Sequence, residues 1–251
     1  LEGLCRKEWH DCSLVLSSGG ARGWAHGGSI DSLLAHGYNI TSIAGCSFGA
    51  IGGGMYASGH FDDFKAWMAD IDRRRIRQLT DYKISLNSII KGEKVVEAMQ
   101  KFCPDRDIET LPIPFCCVAT DWKTGREVVF RKGSLWEAIR ASISVPGYFH
   151  PLEKDDKILI DGGITNPFPL DHVSRSDHDI LVGVNVSGHD YIRRWERKEA
   201  ARVHQIRNSK ALSFLTRLLD VGITPALNYY TLLDQAISIS IAQNAHRAIQ
   251  I

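Results

Sequence analysis

Two short apolar segments near the start of the chain each run into a glycine-containing turn and then into a helical pattern. Residues 13–17 lead into the turn 18–23, and residues 39–44 lead into the turn 45–49. Further apolar segments alternate with helical patterns as far as residue 186, which indicates a mostly parallel sheet covered by helices on both faces. We therefore predict an α/β fold of three layers, α/β/α, around a central sheet.

The same patterns predict where the elements lie and how the chain divides. We expect strands over residues 13–17, 39–44, 112–121, 127–131, 157–160 and 179–186. We expect helices over residues 24–36, 50–58, 61–71, 93–102 and 134–142, an irregular stretch over 80–90, and two C-terminal helices over 204–251. Ser134 is predicted to cap its helix, because Glu137 follows at the capping-box spacing. Without repeats or a convincing linker, residues 1–251 are predicted to form a single domain, with its motifs over 13–186.

The charge balance and the cysteines limit the class of protein. Lys and Arg number 30 against 29 Asp and Glu, which leaves a net charge of +1. With no global basic field, we expect no nucleic-acid partner. The 6 cysteines form no C-x-x-C pair, and no apolar run reaches about 18 residues, so we expect a reduced, cytoplasmic protein without a spanning helix. Because the chain begins with Leu1, the lack of a visible signal peptide carries little weight.

The turn Gly45-Cys46-Ser47-Phe48-Gly49 fits G-x-S-x-G, which exposes a nucleophilic serine between a strand and a helix. The motif alone is weak, because glycine and serine are common and a serine here is also a good helix cap. The apolar segment before it and the helical pattern after it supply the required context. The small residues Gly45 and Gly49 let the backbone pass close to its own helix. The context therefore favours Ser47 as a nucleophile.

The residues alone leave the partner base of Ser47 undecided. With 10 histidines in the chain, a Ser–His–Asp triad stays open, although no histidine lies in a distinctive turn late in the sequence. His26, beside the glycine turn, is better explained as a partly buried polar residue. Asp161-Gly162-Gly163 follows a predicted strand, which places a carboxylate where active sites of open α/β sheets form. An isolated D-G-G is nevertheless more often a plain turn.

Taken together, these segments resemble the patatin-like phospholipase family, in its bacterial form. The turn Ser18–Gly23 is similar to the family's oxyanion motif G-G-G-x-R/K-G, with Ser18 in place of the first glycine. The turn around Ser47 matches its serine elbow, and Asp161-Gly162-Gly163 matches its D-G-G/A motif. Residues 141–151 resemble its A-S-x-x-x-P-x-x-F-x-P stretch. Each motif is modest alone, but their order along the chain is hard to produce by chance.

The resemblance implies a Ser–Asp dyad rather than a triad. Ser47 would attack an ester carbonyl and Asp161 would accept its proton, with no metal or cofactor. The oxyanion turn would be formed by Gly19, Gly20, Ala21, Arg22 and Gly23, with the amides of the first three as donors. The supporting glycines would be Gly45, Gly49, Gly162 and Gly163.

The function implied is a serine acyl-ester hydrolase of the phospholipase A, lysophospholipase or lipid acyl hydrolase type. Two alternatives stay open, an acyltransferase that uses the same dyad and a non-catalytic lipid-binding scaffold. The expected partner is a lipid acyl ester, with contact to a membrane or micelle surface left open. An apolar stripe along 206–219 and a cluster at 229–233 could meet lipid, although packing against the sheet is favoured.

Three side chains in the motifs depart from the family pattern or have two explanations. Ser18 is expected in ordinary extended backbone rather than at a positive φ. Arg22 is expected to stabilise its loop rather than to attract an anionic head group. Phe48 is bulky where the family often has a small residue, so it is expected to affect the size of the acyl group that the site accepts.

Overall fold

The computed structural model of the chain describes residues 9–71, 93–187 and Asn244. The strands are β1 (His10–Leu16), β2 (Tyr38–Cys46), β3 (Phe115–Asp121), β4 (Glu127–Phe130), β5 (Leu152–Lys154), β6 (Lys157–Asp161) and β7 (Ile180–Val184). The helices are α1 (Trp24–Ala35), α2 (Phe48–Ala57), α3 (Phe61–Ala69), α4 (Glu93–Gln100) and α5 (Leu135–Ser142). Single 3₁₀ turns lie at Gly20–Gly23, Ile108–Thr110 and Gly162–Ile164. The predicted irregular stretch 80–90 and, apart from Asn244, the predicted C-terminal helices lie outside the described residues.

The strands form one 7-stranded sheet. Its strands β7, β1, β2 and β3 lie side by side in that order and run parallel. Both β4 and β6 pair antiparallel with β3, and β5 pairs antiparallel with β6. The predicted α/β fold is confirmed, and the carboxyl ends of the parallel strands lie at one edge of the sheet, where such folds place their sites.

Side chains of the central strands alternate between two apolar layers, as the period of a strand requires. Leu14 and Leu16 pack into the larger layer, together with residues of all five helices. Val15 points to the other face, where it packs with Phe168 and Val173. The helices of residues 9–71 and 93–187 thus lie against one face of the sheet. Within those residues, no helix combines the length and the apolar character that a membrane span requires.

The hairpin of β5 and β6 is the main element that the sequence analysis did not predict. Asp155 and Asp156 join the two strands at φ values of 47° and 60°. Two consecutive residues at positive φ are typical of a type I′ turn, which is usually recognised by an Asn-Gly or Asp-Gly pair. This turn has no glycine, so the pattern gave no signal. By contrast, the predicted cap is confirmed, since the Ser134 hydroxyl accepts the Glu137 amide at 3.0 Å.

Candidate active site

The nucleophile candidate Ser47 lies alone between the end of β2 and the start of α2. Its backbone has φ 54° and ψ −120°, a conformation that costs a non-glycine residue roughly 1–3 kcal/mol. The flanking glycines allow this turn to form. A Cβ at Gly45 would lie 2.5 Å from the Gly49 carbonyl oxygen, and a Cβ at Gly49 would lie 2.3 Å from the Leu16 carbonyl oxygen. The sharp strand-turn-helix elbow therefore depends on both glycines.

Ser47 and Asp161 lie in direct contact. The Ser47 hydroxyl donates to Asp161 Oδ2 at 2.5 Å, and the Gly163 amide donates to Asp161 Oδ1 at 2.7 Å. Exposure is 7% for Ser47 and 1% for Asp161. Each carboxylate oxygen thus accepts one of these hydrogen bonds, and Oδ2 accepts the one from Ser47. This is the geometry required for a base that takes the hydroxyl proton.

The register of the sheet explains why these two residues meet. The end of β2 places Cys46 opposite Val118 of β3, and the end of β6 places Asp161 opposite the next residue, Ala119. The strand β4 pairs with β3 over Cys117–Thr120, so it occupies the opposite edge of that strand. Strands β2 and β6 therefore approach each other end to end along a single edge of β3. The elbow and the aspartate meet where the two strands stop.

Burial sets the protonation behaviour of the two titratable groups next to the nucleophile. Desolvation raises the pKa of the Asp161 carboxyl to about 6, although the hydrogen bonds from Ser47 and Gly163 oppose the rise. Such a carboxylate is a better base than a solvated aspartate and is still ionised at neutral pH. Burial raises the pKa of the neighbouring Cys46 thiol well above its usual range. Cys46 therefore stays a thiol, and Ser47 is the side chain whose hydroxyl bonds to the Asp161 carboxylate.

The segment 141–151 bonds to the backbone of both Ser47 and Asp161. The motif in this segment did not predict that role. The Ser142 hydroxyl accepts the Ser47 amide at 2.8 Å, and the Ser144 carbonyl accepts the Asp161 amide at 2.9 Å. Ser144 is held in turn by Arg140, whose Nη1 donates to its hydroxyl at 2.6 Å. Ser142 is the serine of the A-S-x-x-x-P stretch, but neither its contact with Ser47 nor that of Ser144 with Asp161 has a signal in the sequence, because the partners are distant in the chain.

The glycine turn begins where β1 ends, beside the elbow. Gly20 has φ +51°, a region that favours glycine, whereas Ser18 does not lie at a positive φ, as expected. The Arg22 amide and its side-chain Nε both donate to the Gly19 carbonyl, at 3.1 and 3.4 Å, so Arg22 stabilises its own loop. Among the described residues, the amides of Gly20 and Ala21 have no hydrogen-bond partner. Their role as oxyanion donors stays a prediction.

Close packing ties this turn to the residues around it. A Cβ at Gly23 would lie 2.3 Å from Phe48 Cδ1, and a Cβ at Gly19 would lie 2.3 Å from Val186 Cγ2. A Cβ at Gly162, which follows the aspartate, would lie 2.2 Å from the Val118 carbonyl oxygen. Gly23 and Gly19 therefore leave room for the neighbouring side chains, and Gly162 lets two backbone segments approach closely.

Histidines take no part in the contacts of Ser47 and Asp161 among the described residues. His26 is only 1% exposed, and its Nε2 lies 2.8 Å from the Ser17 carbonyl. Because a carbonyl only accepts, Nε2 carries the proton, and burial lowers the pKa of the ring. His172 lies on the surface near Glu127 and Asp171, with its Nε2 2.9 Å from Glu127 Oε1. These three are the candidate metal-binding group in the described part of the chain, and the dyad makes no contact with them.

Comparison with known proteins identifies the family of this chain. The family model for patatin-like phospholipase matches residues 14–174. The chain belongs to the patatin-like phospholipase family. That span contains the glycine turn, the serine elbow and the aspartate, so the expectation from the four motifs is confirmed at the level of the family.

Curated relatives support the same assignment. An uncharacterized NTE family protein of Mycobacterium tuberculosis is 43% identical over 176 residues, which is 70% of this chain and 49% of that protein. Patatin-like phospholipase domain-containing protein 7 of Rattus norvegicus is 30% identical over 185 residues, which is 71% of this chain and 14% of that protein. This chain therefore spans at most about half the length of these relatives.

A solved structure shares the fold. The crystal structure of VipD from Legionella pneumophila matches with a TM-score of 0.52 at 16% sequence identity, over 70% of this chain and 49% of that one. At this identity the likeness concerns the fold alone. It agrees with a patatin-like sheet with its accompanying helices.

Proposed function

We propose that this chain hydrolyses acyl esters of lipids through a Ser47–Asp161 dyad. Membership of a phospholipase family supports lipid ester hydrolysis as the class of reaction. The observation that carries the proposal is the 2.5 Å hydrogen bond from the Ser47 hydroxyl to Asp161 Oδ2. A buried carboxylate whose pKa is raised to about 6 by desolvation is suited to accept that proton.

The reaction proceeds in two steps with the same two groups. Ser47 Oγ bonds to the ester carbonyl carbon while its proton moves to Asp161. The tetrahedral intermediate collapses, the bond to the alcohol breaks, and Asp161 returns the proton to the leaving oxygen. A water molecule then attacks the acyl-serine and gives its proton to Asp161. The carboxylic acid leaves, and Ser47 recovers its proton.

The developing oxyanion requires donors that do not have to reorganise. The amides of Gly19, Gly20 and Ala21 are the proposed donors, since the turn lies at the end of β1 and the elbow at the end of its parallel neighbour β2. Loss of one such donor typically raises a barrier by roughly 2.7–4 kcal/mol. The substrate is proposed to be a lipid acyl ester presented in a micelle or membrane surface.

The test is hydrolysis of p-nitrophenyl butyrate and of a phospholipid panel by wild type, Ser47→Ala and Asp161→Asn. Both variants are expected to lose hydrolysis by about three orders of magnitude or more, as for other nucleophile and base deletions. Exposed Ser32→Ala and Asp177→Asn serve as matched controls that keep activity. Labelling by a fluorophosphonate probe should require Ser47. Activity retained in either dyad variant, or transfer of the acyl group to an added lipid alcohol in place of acid release, would contradict the proposal.

A further inference from the structure

A cavity lies between α1, α2 and α3, next to the serine elbow. Its volume is about 230 Å³, slightly below the roughly 300–1,000 Å³ of most small-ligand pockets. The residue that follows the nucleophile, Phe48, forms part of its wall, and so does Gly23 at the end of the glycine turn. The cavity is therefore bounded on one side by the catalytic motifs themselves.

The two helices that form its long walls present residues at matching helical spacings. One face of α1 contributes Trp24, Gly27, Gly28 and Asp31, and one face of α3 contributes Phe61, Phe64, Lys65 and Met68. Positions three and four apart lie on one side of a helix. Apolar side chains of α3 thus face a glycine-lined stripe of α1. Lys65 Nζ and Asp31 Oδ1, 2.7 Å apart, link the two walls.

The glycines of α1 differ from those of the catalytic motifs. A Cβ at Gly27 or at Gly28 would meet no atom within 4 Å, so neither glycine serves close packing of the backbone. Glycine inside a helix reduces its stability relative to alanine. These positions keep a helix face bare where larger residues would both fit and favour the helix. The bare face is what keeps the cavity open.

We propose that this cavity binds the hydrocarbon chain of the acyl group that Ser47 attacks. This inference rests on the proposed function. Three observations support an acyl chain as the occupant: the cavity adjoins the residue after the nucleophile, its α3 wall is mainly apolar, and its volume suits one short or medium chain. Phe48 directly follows Ser47 and lines the cavity, with its ring packed against Gly23. In the proposal, the acyl chain displaces this ring to enter the cavity.

Chain-length selectivity tests the cavity. Wild type, Gly28→Leu and Ser32→Leu are compared on p-nitrophenyl acetate, octanoate and dodecanoate. A leucine at position 28 fills the cavity, so the kcat/KM ratio of dodecanoate to acetate should fall roughly tenfold or more, since one methylene in an apolar pocket is worth about tenfold or more. The exposed control on the same helix, Ser32→Leu, should leave the ratio unchanged. Since leucine favours the helix, Gly28→Leu should melt no lower than wild type.

A binding measurement separates the cavity from the chemistry. Calorimetric titration of Ser47→Ala with dodecanoate should give saturable binding, which Gly28→Leu added to that variant removes and Ser32→Leu leaves intact. If wild type hydrolyses no ester, the proposed function fails while this titration still decides the cavity. An unchanged ester ratio in folded Gly28→Leu, or unchanged dodecanoate binding, overturns the inference.

A second variant, at Phe48 in the wall next to the nucleophile, also tests whether the acyl chain lies in the cavity. Phe48→Ala removes the ring that lines the cavity next to the nucleophile, so it should raise the ratio of dodecanoate to acetate hydrolysis. Combined with Gly28→Leu, it should lose that gain, because the space beyond the ring is then filled. A gain that persists in the double variant would place the chain elsewhere and overturn the inference.

Discussion

Ser47 and Asp161 meet because β2 and β6 stop against each other along one edge of β3, with Cys46 opposite Val118 and Asp161 opposite Ala119. The proposed nucleophile and its proposed base are therefore fixed by main-chain pairing with one common strand. Both amides are held from a further segment, by the Ser142 hydroxyl and the Ser144 carbonyl. A dyad fixed in this way is preorganised, which is what proton transfer over one hydrogen bond requires.

Turnover should depend on pH through the Asp161 carboxyl. In the proposed mechanism Asp161 acts as a base only when ionised, and desolvation raises the pKa of its carboxyl to about 6. Between about pH 4 and pH 6, kcat/KM for a neutral ester should rise about tenfold per pH unit and then level off. The measurement is a pH–rate profile of p-nitrophenyl butyrate, corrected for spontaneous hydrolysis. An acid limb centred near 4, the value of a solvated aspartate, would contradict the buried base.

The same carboxyl should make stability depend on pH. Its pKa is higher in the folded chain than in the unfolded chain, so between about pH 4 and pH 6 the folded state binds more protons. Wild-type stability therefore falls as pH rises through that window, and Asp161→Asn escapes the loss. The quantity compared is the free energy of unfolding of Asp161→Asn minus that of wild type. We expect this difference to be roughly 1–3 kcal/mol larger at neutral pH than at pH 4. Urea denaturation at both pH values measures it, with exposed Asp177→Asn as the control that shows no such gain.

Two glycine-to-alanine changes should act in opposite directions. At Gly49 the new Cβ would lie 2.3 Å from the Leu16 carbonyl oxygen, and a backbone contact cannot move aside cheaply. Gly49→Ala should therefore lower the free energy of unfolding by about 2–4 kcal/mol. Gly28→Ala meets nothing within 4 Å in a helix and should raise it by roughly 0.5–1 kcal/mol. Chemical denaturation compares the two, and equal effects would be inconsistent with the packing at the elbow.

Removal of the Ser142 hydroxyl tests the support of the elbow. Ser142→Ala leaves the buried Ser47 amide without its 2.8 Å acceptor, which costs about 1–3 kcal/mol of stability. Because the strained turn is then less well held, kcat should fall by about tenfold or more with little change in KM. The matched control is Ser58→Ala, which removes another buried serine hydroxyl, one that donates to the Met55 carbonyl at the end of α2. If Ser142→Ala loses stability but keeps kcat, its role is structural alone.

The sequence predicts the parallel strands and the antiparallel strands β4 and β6, but it misses β5 and the hairpin that joins β5 to β6. Apolar strands, glycine turns and helices follow one another in 13–61, so local patterns suffice there. The hairpin at Asp155-Asp156 lacks the usual glycine and stays hidden. Its absence from the sequence-based fold matters, because β6 carries the aspartate and its antiparallel direction is what aims Asp161 at the elbow.

The candidate nucleophile was predictable because its chemistry requires an uncommon backbone conformation. A serine at φ 54° between close-packed glycines has a recognisable motif. The contacts of Ser142, Ser144 and His26 are not recognisable in this way, even though Ser142 lies in the A-S-x-x-x-P stretch, since each bonds to a residue that is distant in the chain or buried in the fold. The burial that raises the pKa of Asp161 is likewise a property of the assembled sheet and not of any segment.

The pairing of β6 with β3 makes ester turnover a reporter of strand register. A slip of one residue would turn the Asp161 side chain to the opposite face of the sheet, and a slip of two would move it by about 7 Å. Either error would abolish the proposed ester hydrolysis while the helices and most of the core stayed in place. Strands this distant in sequence pair late, because closing the intervening chain is slow. The time at which turnover returns during refolding would therefore report when β3 and β6 pair in the correct register.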